Sequence, residues 1–167
     1  MIHIYDGDGK GKTSAGLGAL IRAHGSGMKT IAFFFLKNAV SSELSSLVDL
    51  EIPFQVSYAD STYYWDMDDE QKQDFLKRQK ELFAAACSYV KNNENRVILL
   101  DEILDLPQMG IISDDEIADL LSGCRNEIIL TGRDGSRFEQ MADYYSHITK
   151  VKHPYDQGHE ARKGIEY

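Results

Sequence analysis

Short apolar runs alternate along the chain with longer stretches in which apolar residues recur at helical spacing. Residues 30–36 form a nearly continuous apolar run, which is typical of a strand buried on both faces of a parallel sheet. Residues 54–58 alternate between apolar and polar positions, which favours a strand nearer an edge. The pattern predicts strands at residues 2–5, 30–36, 54–58, 97–100, 128–130 and, more weakly, 147–151.

Helical patterns fill the intervals between these strands. The first helix begins near Thr13, and Gly25 and Gly27 end it. Gly16 and Gly18 each cost this helix about 1 kcal/mol relative to alanine, which indicates close packing against the sheet. Residues 69–93 predict the longest helix, and the capping boxes Ser113-x-x-Glu116 and Ser136-x-x-Glu139 predict two more helix starts. The alternation predicts an α/β fold with a mostly parallel sheet and right-handed crossovers.

The composition limits the partners that the chain can have. With 167 residues, it is expected to form a single domain over residues 1–167. The net charge of −9 argues against a nucleic-acid partner, because phosphate neutralisation needs clustered basic residues. No apolar run reaches the length of a membrane span and no leader precedes the first strand, so we expect a cytoplasmic protein without a membrane partner. Cys87 and Cys124 lie in helical apolar patterns and are expected to be buried, reduced thiols.

A glycine-rich segment between the first strand and the first helix has the form of a phosphate-binding P-loop. Its glycines allow successive backbone N–H groups to point at an anion, and the helix N-terminus adds partial positive charge. Lys12 can reach phosphate oxygens, and the Thr13 hydroxyl suits Mg²⁺. The usual spacing places a glycine at position 6, where this chain has Asp6, so the loop is one residue tighter than usual. The segment consists of Gly7, Asp8, Gly9, Lys10, Gly11, Lys12 and Thr13, followed by Ser14.

Polar residues follow four of the predicted strands, at residues 6–13, 37–38, 101–102 and 131–133. Because ligands of α/β sheets bind at the carboxyl ends of the strands, these four clusters outline one site. Asp101 and Glu102 have the form of a Walker-B strand end that contacts Mg²⁺ or ATP, with a helix-capping or solvated acid as the alternative. The sequence leaves open which carboxylate makes the contact. Arg133 is a candidate phosphate ligand, with a surface ion pair as the alternative.

An aromatic cluster, Tyr63-Tyr64-Trp65, stands between polar stretches and contains the single tryptophan of the chain. A stacking surface for a flat ligand and ordinary packing beneath a loop are both compatible with it. The chain contains no Gly-x-Ser-x-Gly elbow and no setting for a reactive cysteine. Either the substrate supplies its own nucleophile or water hydrolyses the nucleotide.

These motifs together resemble the ATP:corrinoid adenosyltransferases of the bacterial cobinamide/cobalamin type, which attach an adenosyl group to cobalt. The resemblance extends nearly from end to end, and the motifs occur in the same order. The P-loop is similar to the shortened loop of these enzymes. The other similar segments are residues 21–25, 34–37, 63–65, 100–102, 130–133, 151–155 and 161–167.

The resemblance implies a RecA-like P-loop fold, a homodimer and an unusual reaction. Cobalt(I) of a reduced corrinoid attacks C5′ of ATP and displaces tripolyphosphate, which accounts for the lack of a protein nucleophile. The enzyme then contributes positioning and stabilisation of the leaving group. ATP is implied as co-substrate, the corrinoid as substrate, Mg²⁺ as the metal, and a flavoprotein as reductant.

The resemblance also implies residue roles. Lys12 and Glu102 are the expected catalytic residues, and Thr13 and Glu102 are expected to hold the metal. Tyr63 and Trp65 are expected to face the corrin and keep its lower axial ligand away from cobalt. The nucleotide or corrinoid is expected to contact Gly7, Asp8, Gly9, Lys10, Gly11, Lys12, Thr13, Ser14, Arg22, Lys37 and Arg133.

The chain departs from the family pattern in three places. Tyr63 stands where the family has phenylalanine, and Asn38 follows Lys37 where glycine is usual. Family members commonly carry an N-terminal helical extension that closes over the site, whereas this chain begins on its first strand, so closure is expected to be weaker or to be supplied differently. Two alternatives stay open: a P-loop kinase of a small molecule, which would release ADP, and an ATP-binding regulator without catalytic activity.

Overall fold

Six parallel strands and four α-helices form the described part of the chain, which in this computed structural model comprises residues 1–38, 41–58, 64–159, 162, 164 and 165. Short 3₁₀ helices lie at Tyr64–Asp66, Ile103–Asp105, Gly135–Met141 and Pro154–Gln157. In chain order the main elements are β1 (Ile2–Asp6), α1 (Lys12–Gly25), β2 (Lys29–Asn38), α2 (Ser42–Asp49), β3 (Phe54–Tyr58), α3 (Asp69–Asn92), β4 (Arg96–Asp101), α4 (Asp114–Leu121), β5 (Glu127–Thr131) and β6 (Tyr144–His147).

The strands form one sheet in the order β3-β2-β4-β5-β1-β6, and every neighbouring pair is parallel. The predicted α/β fold with a parallel sheet is therefore confirmed, and it is consistent with a RecA-like P-loop fold. The alternating strand β3 lies at the edge, as its pattern indicated. All six strands end at the same border of the sheet, which we call the carboxyl edge. The turns that leave β1, β2, β4 and β5 there are brought next to one another.

Two apolar layers cover the two faces of the sheet. On one face, α1 and α2 contribute Leu20 and Leu47 to a cluster with Phe34 of β2 and Leu99 of β4. On the other face, the larger cluster includes side chains of α3 and α4, among them Phe83 and Ile117, packed against Phe33, Phe35, Ile98 and Leu100. Strand residues alternate between the two layers because successive side chains point to opposite faces. Continuous apolar runs in β2 and β4 follow from burial on both sides.

Helix α1 begins directly after the P-loop and packs closely on the sheet at Gly16. A Cβ atom at Gly16 would lie 2.8 Å from Leu99 Cδ1, so the expected close approach is confirmed there. The same expectation is wrong for Gly18, where a Cβ atom would meet nothing within 4 Å. The capping box at Ser113 and Glu116 is present and opens α4.

Two further predictions are wrong. Ser136 does not cap an α-helix, because the segment is a 3₁₀ helix that starts at Gly135 after Asp134, and Ser136 Oγ donates to the Asp134 carboxylate. The last strand is Tyr144–His147 instead of residues 147–151. It is an edge strand with mostly exposed residues, so its sequence carries little apolar periodicity. Within the described residues, no helix has the length and apolar character needed to cross a membrane.

Candidate functional site

The P-loop connects β1 to α1 at the carboxyl edge, and its glycines are required by its conformation. Gly7 and Gly11 have φ angles of 115° and 119°, a region that side chains rarely adopt. A Cβ atom at Gly7 would also collide with the carbonyl oxygen of Ile148. Lys12 Nζ donates to the Gly9 carbonyl at 2.9 Å, so the lysine side chain lies along the loop.

The segment that follows β6 is joined to the P-loop by one hydrogen bond between backbone groups and one from backbone to side chain. Gly9 N–H donates to the Ile148 carbonyl at 2.8 Å, and Lys150 N–H donates to Asp8 Oδ1 at 2.8 Å. The hydrogen bond from Lys150 N–H is the main reason why the pKa of the exposed Asp8 carboxyl is lowered. The outer wall of the loop is therefore built from a segment more than a hundred residues away in sequence.

Asp6, the residue that replaces the usual glycine, has a structural explanation. Its buried carboxylate accepts hydrogen bonds from Gly135 N–H at 2.8 Å and from the Tyr145 hydroxyl at 2.9 Å, and His147 Nδ1 lies 2.8 Å from Asp6 Oδ1. Burial and the hydrogen bond to Asp6 raise the pKa of the Tyr145 hydroxyl to about 12. The base of the shortened loop is thus fixed to β6 and to the Gly135 turn by one carboxylate.

Asp101, at the end of β4, is the centre of a buried polar network. Its Oδ1 accepts a hydrogen bond from the Thr131 hydroxyl at 2.6 Å. Its Oδ2 accepts one from the Thr13 hydroxyl at 3.3 Å and lies 2.7 Å from Lys37 Nζ. Residues from all four predicted polar clusters therefore meet at this one carboxylate.

Lys37, after the apolar run of β2, is held between two acids. Its ammonium lies 2.7 Å from both Asp101 Oδ2 and Glu43 Oε1, and it sits 5.1 Å from the centroid of the Phe34 ring. Burial alone would lower the pKa of Lys37, but the charges of Asp101, Glu102 and Glu43 outweigh it and hold that pKa above its ordinary value. Lys37 is therefore a permanent cation in the site.

Glu102 faces the cavity beside this network. Its φ angle of 62° is left-handed, and its N–H donates to the Thr131 hydroxyl at 2.9 Å. Burial, followed by the neighbouring charge of Asp101, raises the pKa of the Glu102 carboxyl to about 8. A cation next to Glu102 would reverse this preference for the protonated form.

These groups line a cavity of about 600 Å³ at the carboxyl edge. Its volume is within the ordinary range for small-molecule sites. The P-loop from Asp8 to Ser14 forms one wall, and Lys37, Glu102 and Arg133 lie around it. Arg133 is exposed, and its N–H is fixed by Asp105 Oδ2 at 3.1 Å. The structure thus brings residues of all four predicted strand-end clusters together around one cavity.

Sequence reasoning missed the opposite wall of the cavity. This wall comes from α2, whose leucines pack on the sheet while its polar face lines the cavity. The helical spacing of Leu44 and Leu47 among serines is the signal that could have revealed it. The lining residues that were not predicted are Leu17, Ser41, Ser42, Glu43, Ser46, His153, Gly164 and Ile165.

Three predicted site residues of the described chain, Gly7, Arg22 and Trp65, are not among those that line this cavity. Arg22 is exposed in the last turn of α1, and it is not among the lining residues. Trp65 is 82% exposed on a 3₁₀ helix, whereas its neighbour Tyr64 packs against Phe75. Tyr63 lies outside the described residues. In the described ranges, no group of three or more His, Cys, Asp or Glu side chains is arranged to hold a metal ion.

Comparisons with known proteins identify the relatives of this chain. The family model described as "ATP:corrinoid adenosyltransferase BtuR/CobO/CobP" matches residues 1–167. Corrinoid adenosyltransferase of Escherichia coli (strain K12) is 29% identical over all of this chain and 85% of its own length. Corrinoid adenosyltransferase of Pseudomonas aeruginosa is 27% identical, with 83% of its length covered. Corrinoid adenosyltransferase CobA of Salmonella typhimurium is 28% identical, with 85% covered.

Proposed function

Since the chain belongs to the ATP:corrinoid adenosyltransferase family and adenosylates corrinoids with ATP, we propose that the cavity at the carboxyl edge binds ATP with its triphosphate in the P-loop. The observation that carries this proposal is the meeting of the P-loop, Lys37, Glu102 and Arg133 around one cavity. Transfer to cobalt needs C5′ of ATP to be exposed and the triphosphate to be stabilised as a leaving group. The chain supplies cations and N–H groups for the second task.

Lys12 and Arg133 are the proposed partners of the triphosphate, together with the loop from Gly7 to Ser14. Lys12 lies along the loop, with its ammonium 2.9 Å from the Gly9 carbonyl, so a phosphate bound there would be within its reach. Arg133 has a planar donor group suited to phosphate oxygens, and its backbone is anchored by Asp105. Both cations would stabilise the negative charge that develops on tripolyphosphate.

We propose that Mg²⁺ is held by Thr13 and Glu102, with Asp101 as the residue that orients them. The oxygens of Asp101 are already engaged by Thr131, Thr13 and Lys37. The Glu102 carboxylate instead faces the cavity, and a divalent cation would stabilise its charged form, which burial disfavours. Hydroxyl and carboxylate oxygens are the donors that Mg²⁺ prefers, and the ion would neutralise charge on the triphosphate.

The corrinoid is proposed to meet the aromatic segment Tyr63-Tyr64-Trp65. The exposed indole of Trp65 supports this proposal, because a large exposed aromatic ring is suited to stacking on a flat macrocycle. Arg22 is proposed to contact nucleotide or corrinoid from the end of α1. We further propose a homodimer, a flavoprotein that supplies the electron, and a cytoplasmic location, where thiols such as Cys87 stay reduced.

The decisive experiment is anaerobic incubation of the protein with ATP, Mg²⁺ and chemically reduced cobalamin. Formation of a light-sensitive cobalt–carbon bond in visible spectra, with release of tripolyphosphate, is the expected result. Release of ADP in place of tripolyphosphate would mean phosphoryl transfer, which the family membership does not favour. ATP binding without turnover of reduced cobalamin would identify a regulator.

A further inference from the structure

The alternation of side chains along β2 breaks at Leu36. From Ile31 to Phe35, odd residues pack in the α3 and α4 layer and even residues in the α1 and α2 layer. Leu36 should therefore face α1, but it packs against the α3 layer, as Phe35 does. Its φ angle of 56° is left-handed, which a leucine rarely adopts. Between the pairs Phe34–Val56 and Asn38–Tyr58, β2 advances four residues and β3 only two, so the strand bulges here.

This bulge decides the face on which Lys37 lies. Regular alternation would direct Lys37 to the α3 side, away from the nucleotide cavity. Because the left-handed Leu36 interrupts the alternation, Lys37 lies on the other face, where it extends over the Phe34 ring to Asp101 and Glu43. The position of this cation in the site is thus a consequence of one left-handed residue.

A buried amide on α3 holds the bulge in place. Gln79 is fully buried in a helix stripe otherwise composed of apolar residues. Its Oε1 accepts the hydrogen bond from Leu36 N–H at 3.1 Å, and its Nε2 donates to Ser57 Oγ of β3 at 2.6 Å. The N–H of a bulged residue has lost its place in the sheet ladder, and burying it unpaired would be costly. Gln79 supplies the missing acceptor and is itself oriented by Ser57.

We propose that Gln79 is a positioning residue that keeps Leu36 left-handed and thereby directs Lys37 into the nucleotide site. The inference rests on the proposed function for the importance of Lys37, but the placement of Lys37 can be tested without any reaction. Removing the amide should let β2 return to regular alternation, with Lys37 leaving Asp101.

The test compares Gln79→Met with Asn126→Leu. Asn126 is a second buried amide that accepts a strand N–H, that of Arg96, but at the opposite edge of the sheet. Acetylation of Lys37 by acetic anhydride, followed by mass spectrometry, measures whether the lysine has left its ion pairs. We expect Gln79→Met to raise the labelling rate of Lys37 at least fivefold and Asn126→Leu to leave it within twofold of wild type. Should Gln79→Met not fold, Ser57→Ala retains the amide but removes its partner, and it should raise the rate about threefold, above the range allowed for the control.

Kinetics then separate positioning from general destabilisation. Gln79→Met should lower kcat/KM for ATP about tenfold, and the same substitution in a Lys37→Met background should change it less than twofold. Equal losses in both backgrounds, or unchanged Lys37 labelling in Gln79→Met and Ser57→Ala, would overturn the inference. If the wild-type protein forms no cobalt–carbon bond while labelling behaves as expected, the proposed function fails and the positioning role stands.

Discussion

The Thr13 hydroxyl at the start of α1 donates a hydrogen bond to Asp101 Oδ2 at the end of β4, across 3.3 Å. This contact joins the P-loop helix to the acidic strand end, two motifs that lie 88 residues apart. Asp101 also forms an ion pair with Lys37 and accepts a hydrogen bond from Thr131, so its negative charge is balanced by groups of the protein itself. Glu102, the next residue, faces the cavity. The two adjacent acids therefore have different surroundings: Asp101 is engaged by protein side chains, and Glu102 lines the cavity.

The buried Lys37–Asp101 pair gives a first prediction. Asp101→Ala should lower the free energy of unfolding by about 3–5 kcal/mol, because it leaves Lys37 without its main counter-charge in a buried position. Urea denaturation measures the loss. The double variant Lys37→Met/Asp101→Leu removes both charges and should recover at least half of that loss, although it should be inactive. A double variant as unstable as Asp101→Ala would contradict the idea that the stranded lysine causes the effect.

Lys12 gives a second prediction, for catalysis. Lys12→Ala should lower kcat/KM for adenosyl transfer at least about a hundredfold, since it removes a cation proposed to stabilise the leaving triphosphate. Stability should change by no more than about 1.5 kcal/mol, because the variant loses a single partly buried hydrogen bond, that to the Gly9 carbonyl. The measurement is the rate of cobalt–carbon bond formation in visible spectra. Lys29→Ala, at the opposite edge of the sheet, is the matched control and should behave as wild type.

Much of the fold could be predicted because strands buried on both faces appear in the sequence as continuous apolar runs. The apolar runs of β2 and β4 place those strands within two residues of their observed ends. Strand β6 was misplaced because its residues are mostly exposed, so its sequence has no apolar run. Helix α2 was missed because serines occupy three of its eight positions, and serine is a weak helix former.

The candidate site was predictable as far as parallel strands bring their ends together. Asp101, Glu102, Lys37 and Arg133 could be assigned to one site from this rule alone. The face of β2 on which Lys37 lies could not be predicted, because nothing in the sequence indicates that Leu36 is left-handed. The different surroundings of Asp101 and Glu102 could not be predicted either, because they depend on the hydrogen bonds that Thr13 and Thr131 donate to Asp101.

Trp65 gives a third prediction, which separates reduction from transfer. Trp65→Ala should lower the rate from Co(II) corrinoid at least about tenfold, but the rate from prereduced Co(I) less than threefold, if the indole keeps an axial ligand away from cobalt. Because Trp65 is 82% exposed, its loss should change stability by no more than about 0.5 kcal/mol. Both rates are measured anaerobically with the same ATP concentration. Tyr144→Ala removes another exposed aromatic ring and serves as control; equal losses in the two assays would count against the proposed role.

Cys87 gives a fourth prediction, for pH dependence. Burial raises the pKa of this thiol, with Lys91 opposing the shift in part. Deprotonation is thus less favourable in the folded protein than in the unfolded chain, so stability should fall as pH rises above about 8.5, the value for a free thiol. In a Cys124→Ser background, the rate of iodoacetamide alkylation against pH should show a higher midpoint in the folded protein than in urea. Identical midpoints in the two states would disprove the shift.

Gly16 and Gly18 give the last prediction, since they occupy the same helix but different surroundings. A Cβ atom at Gly16 would lie 2.8 Å from Leu99 Cδ1 and 3.1 Å from Thr131 Cγ2, and both of these side chains are fully buried. Gly16→Ala should therefore destabilise the protein by about 1–3 kcal/mol. Gly18→Ala meets nothing within 4 Å and should stabilise it by up to about 1 kcal/mol through helix propensity.

The two alanine variants should also differ in activity. Displacing Thr131 disturbs the hydroxyl that bonds to both Asp101 and the Glu102 N–H, so Gly16→Ala should lose catalytic rate even at temperatures where it is fully folded. Gly18→Ala should keep the wild-type rate, because its new methyl group contacts neither the sheet nor the cavity. Urea denaturation and cobalt–carbon bond formation, measured on both variants, test this. A Gly16→Ala variant as stable and as active as Gly18→Ala would show that the helix can move away from the sheet without disturbing Asp101.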